Sequence, residues 1–188
     1  MWLAKVRETY GDNLDIDWKP FMLAQVNSQE GPEWKAWEQT EDTATLGLTA
    51  FRAGAAAQRQ GRKIFEDFQL AMLKARHEDR RDLSDIEAIL EIAEGVGLDM
   101  AQFREDLADE SVLKDVGESH TEAVEKYGVF GVPTFVFPDG NTAFLKTYNP
   151  PAEEAVQMFD EISSVMSKWK WVAEVKRPQP PWPRGIFE

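Results

Sequence analysis

A chain of 188 residues that is 43% hydrophobic, with seven Trp and eleven Phe, has the length and apolar mass of a packed domain rather than of a disordered segment. Its formal charge of −13, from 34 acidic against 21 basic residues, repels phosphate backbones, and no basic patch with interleaved aromatics offsets it, so nucleic acid is excluded as a partner. No apolar run reaches the roughly 18 residues of a membrane span, and with no cysteine and only His77 and His120 as neutral nitrogen ligands, neither thiol nor zinc chemistry finds its groups.

The first seven residues carry no basic segment followed by an apolar stretch and a small-residue cleavage site, so nothing marks export and the cytoplasm is the expected compartment. Trp2, Val6 and Tyr10 recur at helical spacing and Gly11 supplies a stop, yet no capping residue precedes them. From Leu14 to Phe21 apolar and charged residues alternate, which predicts a strand near a sheet edge, weakened by Pro20. After Gly31-Pro32, apolar residues at mixed three and four spacing, among them Trp34, Trp37, Phe51, Phe65 and Phe68, predict several packed helices.

Ser84-Asp85-Ile86-Glu87 reads as a capping box, with Ser84 as the cap of a helix that Gly95 and Gly97 end. Helices are also expected over Leu98–Leu107 and about Val112–Tyr127, the second closed by Gly128. A buried strand follows in Val129–Phe137, then a hairpin at Asp139-Gly140 with Ala143–Tyr148 as the returning strand, then a helix opened by Pro150-Pro151. The Pro-rich stretch from Lys176 onward predicts an extended arm lying on its own domain or on a neighbouring subunit, with Trp182 as anchor.

The segment Gly128-Val129-Phe130-Gly131-Val132-Pro133-Thr134-Phe135-Val136, between a helix and a hairpin with a closing helix, resembles the cis-proline loop of DsbA-like thioredoxin-fold proteins. Sequence physics alone assigns the Val132-Pro133 bond trans, since cis forms make up about 5–6% of such bonds, and the resemblance reverses this. It implies an α/β thioredoxin-like fold with a helical insertion: a discontinuous thioredoxin-like domain of residues 1–30 and 119–170, an insertion over 31–118 and a Pro-rich tail over 171–188. It also implies that Val132, Pro133 and Thr134 bind a peptide or protein substrate.

In such proteins a central strand leads into a Cys-x-x-Cys at the N-terminus of the next helix, whose dipole lowers the thiol pKa. Met1 falls inside that helix, so the chain is expected to begin after both features. Without the central strand, the strands at Leu14–Phe21 and Thr134–Phe137 flank a gap, which predicts marginal stability or a homodimer.

Other motifs read blandly. His120 can approach the proline loop, but a solvent-facing helical histidine is the expectation, and His77 lies in a mixed-charge run typical of a solvated helix end. The pairs Glu153-Glu154 and Glu105-Asp106 have no partner base, and the serines and glycines form neither a nucleophile elbow nor a phosphate loop. The stripe Trp34, Trp37, Phe51, Phe65 and Phe68 reads as core before it reads as a substrate groove.

The resemblance therefore implies a thiol-disulfide oxidoreductase-like protein that is redox-inactive as this chain stands, with no cofactor. The alternatives are a non-catalytic thioredoxin-fold protein that binds a peptide or a partner, and a relative of the glutathione-dependent isomerases similar to hydroxychromene-carboxylate isomerase.

Overall fold

The computed structural model describes residues 1–40 and 46–176. Among these residues eight α-helices run in chain order: α1 Trp2–Tyr10, α2 Leu23–Asn27, α3 Leu48–Arg59, α4 Arg62–His77, α5 Ile86–Gly95, α6 Met100–Ala108, α7 Ser111–Tyr127 and α8 Ala155–Lys168. Between α7 and α8 stand the strands β1 Thr134–Val136 and β2 Thr142–Phe144. The described residues are thus mostly helical, with one small antiparallel sheet. The extended arm predicted around Trp182 lies outside the described residues. The chain divides into two compact units, one of Ile16–Gly131 with Met1, the other of Trp2–Asp15 with the chain from Val132 on.

Helix ends follow local chemistry. Gly11, Gly97 and Gly128 stand at φ of +53°, +82° and +64° after α1, α5 and α7, a backbone region that costs other residues free energy. Asp99 caps α6 by accepting the Ala101 and Gln102 amides, so this helix starts two residues later than expected. The cap of α5 is Asp85, which accepts the Glu87 amide at 3.0 Å, and not Ser84. Asp82 takes both the Ser84 amide and hydroxyl, which removes Ser84 from the helix end.

Within the first unit, Ala53, Ala56 and Ala57 put only methyl groups on one face of α3, and they share a core cluster with Phe65 and Phe68 of α4, Ile89 of α5 and Phe103 of α6. Phe68 meets Phe103 edge to face, with centroids 5.7 Å apart. A second cluster joins Met22, Ala36, Leu48, Leu113 and Val116, with Trp34, Trp37 and Phe51 packed against it. The aromatic stripe of the sequence packs into the core, divided between the two clusters.

The predicted strand Leu14–Phe21 forms no ladder. Its alternation is real, since Ile16, Trp18 and Pro20 are half-buried while Asp15, Asp17 and Lys19 are exposed. Side chains, not a neighbouring strand, reach three of its carbonyls and the amide that follows it. Arg62 Nη2 donates to Ile16 O at 2.7 Å, Gln58 Nε2 to Trp18 O at 3.1 Å and Ser119 Oγ to Pro20 O at 3.1 Å. The Met22 amide donates to His120 Nδ1 at 3.2 Å. Helix side chains replace a sheet partner, which accounts for the difference from the sequence reading.

Arg59 ties α3 to the ends of α6 and α7. It donates to Asp106 at 3.1 Å, Asp109 at 2.7 Å and Ser111 at 2.9 Å. The Arg59 hydrogen bond, followed by those from Ser111, holds the Asp109 carboxyl down at about 2. The contribution of this ionised carboxylate is therefore present above its ordinary value near 3.8 and lost as pH falls through about 2. Asp106 is buried and, among the described residues, keeps only Gln102 if Arg59 is removed. Arg59→Met is expected to lower unfolding free energy by about 1–2 kcal/mol, measured by urea denaturation at pH 7.

The second unit joins α1 and α8. Trp2 Nε1 donates to Ala155 O at 2.8 Å, Trp2 packs on Phe159 with centroids 6.0 Å apart, and the Tyr10 hydroxyl donates to Asp160 at 2.6 Å. The last contact raises the Tyr10 pKa, because the neighbouring carboxylate disfavours the phenolate.

Candidate functional site

In the second unit, Pro138-Asp139-Gly140 turns the chain between β1 and β2. The Gly140 amide donates to Phe137 O and the Phe137 amide to Asn141 O, both at 2.9 Å, with Gly140 at φ +84°. This is a three-residue hairpin loop whose last position suits glycine. Asp139 Oδ1 accepts the Asn141 amide at 3.0 Å, and Asn141 Nδ2 donates to Ser167 O of α8 at 2.6 Å. The returning strand is shorter than Ala143–Tyr148, because regular pairing ends at Phe144, with one further bond from the Leu145 amide to Pro133 O at 3.1 Å.

The pairing register is Thr134 with Phe144, Phe135 with Ala143 and Val136 with Thr142. Bonds at Phe137 and Pro133 point toward β2, so alternation along β1 turns the backbone groups of Val136 away from it. Side chains alternate too. Phe135, Phe137 and Ala143 are half-buried, while Val136 and Phe144 on the other face are 45% and 40% exposed.

The three residues assigned to substrate binding from sequence stand at the entrance to β1. Val132 is 45% exposed, Pro133 is exposed and Thr134 is half-buried, and the Val132-Pro133 peptide is cis. Beyond β2, Tyr148 is also exposed. Val132, Pro133 and Val136 thus present exposed apolar side chains along β1 and its entrance. The Val132–Thr134 segment offers backbone groups, two apolar side chains and the Thr134 hydroxyl.

His120, in the first unit, departs from expectation. It is 4% exposed rather than solvent-facing, with the Phe21 ring 4.5 Å and the Trp37 ring 5.4 Å from its own centroid. Since Nδ1 accepts the Met22 amide, the ring is neutral with its proton on Nε2. Burial, and then the positive charge of Lys35, lower its pKa. His77 is exposed at the end of α4, as expected of a solvated helix terminus. Among the described residues, no group of three or more His, Cys, Asp and Glu is placed to hold a metal.

A sequence profile described as the DSBA-like thioredoxin domain matches residues 2–152. The chain belongs to this family. The likeness seen in Gly128–Val136 thus extends through the helical unit to the start of the α8 region. A DSBA-like chain of this sequence is also 29% identical over 97 residues to the ClpXP adapter protein SpxH of Bacillus subtilis (strain 168). The aligned stretch is 52% of this chain and 31% of that protein, so the chain spans about a third of its relative's length.

In this DSBA-like chain, the sequence reading did not anticipate the burial of His120 or the packing around it. Gly117 lies one turn before His120 on α7, and a Cβ there would overlap the Trp37 indole. A glycine inside an otherwise well-formed helix was the available signal, because such a position demands a packing reason.

Proposed function

We propose that this DSBA-like chain is a non-covalent, protein-binding member of its family that receives an extended segment of a partner along Val132–Val136. The observation that carries this reading is an accessible edge at Val132 and Val136 in a chain without cysteine. With no thiol, the chain has no group to form a mixed disulfide, so the recognition half of the family's chemistry stands without the exchange half. The adapter function named for SpxH is consistent with binding as the primary task. Among the described residues no helix is long and apolar enough to cross a membrane, and a protein that uses no disulfide suits a reducing cytoplasm.

Selection of random displayed peptides on the immobilised chain tests the reading. Enriched peptides are expected to be rich in β-branched and aromatic residues, and Val132→Asp is expected to weaken them at least about tenfold, the effect of a charge placed where an apolar contact should form. Val136→Pro, which removes one outward amide, should weaken them similarly. Peptides that bind both variants as well as the parent would sink the assignment. Pairing with β1 of a second copy would give a homodimer, which light scattering distinguishes from a monomer awaiting another partner.

A further inference from the structure

The helical unit contains a recess unconnected with the reading above. Thr49 and Arg52 on α3, Ile86 and Leu90 on α5, and Arg104 and Leu107 on α6 line a cleft of about 350 Å³. Each helix contributes side chains three or four positions apart, so each wall is one helical turn on a single face. The volume lies at the lower end of the roughly 300–1,000 Å³ that small ligands occupy. Ile86, 38% exposed, and Leu90 and Leu107 make its lining mainly apolar.

The charge of this lining is opposite to that of the chain. Among the described residues no carboxylate lines it, and the two ionised groups that do are both guanidiniums. Arg52 Nη1 donates weakly to Leu107 O at 3.4 Å and Asp109 O at 3.3 Å, at the C-terminal end of α6, which orients the planar group. The donors on Nε and Nη2 have no acceptor among the described residues. Arg104 is exposed and likewise has no carboxylate partner among them. Arginine donors at an apolar recess suit a planar anion attached to an apolar body.

We propose that this recess binds a small aliphatic carboxylate, its tail against Ile86, Leu90 and Leu107 and its carboxylate on Arg52 and Arg104. An aliphatic acid concentrates its polar demand at one end, as the lining does. A peptide would bring amide groups into a recess whose side-chain polar groups, among the described residues, are the two guanidiniums and the Thr49 hydroxyl, and unsatisfied amides are costly to desolvate. A polycationic ligand would meet the guanidiniums as like charges.

Titration of the methyl-labelled full chain with octanoate, followed by NMR, tests the assignment. Saturable shifts confined to the Ile86, Leu90 and Leu107 methyls are expected. Arg104→Gln should weaken binding about tenfold, and Arg104→Glu further, the effect of losing one charge-assisted hydrogen bond and then adding a repulsion. Both changes fall at an exposed position, and an unchanged far-UV spectrum checks the fold. No shift at these methyls, equal binding by octanol, affinity unchanged in Arg104→Glu, shifts at Val132 and Val136 as large as those in the recess, or binding of N-acetyl-dileucine but not octanoate would each overturn it.

Discussion

Gly117→Ala is expected to destabilise the protein by about 1–3 kcal/mol, the usual cost of forcing added volume into a packed core. The sign is informative because, in an open helix, the same change stabilises by roughly 0.5–1 kcal/mol through the conformational entropy that glycine loses on folding. At Gly117 the new methyl would overlap Trp37, which packs against the cluster of Met22, Leu113 and Val116, so the indole must be displaced. Gly54 in α3 is the internal comparison, since a Cβ there meets nothing within 4 Å. Gly54→Ala should therefore raise stability by about 0.5–1 kcal/mol. Urea midpoints of the two variants should move in opposite directions. Movement in the same direction would show that Trp37 does not occupy the space above Gly117.

The second large effect concerns His120. His120→Leu should cost about 1–3 kcal/mol, because it leaves the buried Met22 amide without its acceptor and releases one of the four side-chain anchors of Ile16–Met22. His120→Gln, whose carbonyl can accept the same amide, should recover part of the loss. The two variants thus separate the hydrogen bond from the mere filling of space.

The pH dependence follows from the direction of the pKa shift. Burial and Lys35 place the folded-state pKa of His120 below the ordinary value of 6.5. As pH falls below about 6.5 the unfolded chain takes up this proton before the folded one does, so stability is complete above that value and declines toward the lower folded pKa. Urea midpoints between pH 8 and pH 5 should fall in the parent and be flatter in His120→Gln over that interval. An equal fall in both would assign the dependence to other groups. The Asp109 contribution does not interfere, because it changes only between the ordinary carboxylate value near 3.8 and about 2.

Much of this architecture is determined by residues acting on their immediate neighbours. Gly97, Gly128 and Gly140 mark the places where the chain turns, because a positive φ is a property of one residue. Asp139-Gly140 and the β-branched and aromatic residues around it specify a hairpin for the same local reason. The likeness of Gly128–Val136 to a known loop was legible because those residues are consecutive.

Tertiary structure decided what depends on residues far apart in the chain. The alternation from Leu14 to Phe21 specifies a half-buried extended segment, but alternation carries no information about which groups take up its hydrogen bonds. Those groups are Gln58, Arg62, Ser119 and His120, as many as 99 positions away, and their presence makes the segment an anchored strap rather than a sheet strand. The burial of His120 and the need for glycine at 117 follow from the same long-range packing. A helix sequence shows which side chains share a face, whereas the rings of Phe21 and Trp37 that cover this face come from elsewhere in the chain.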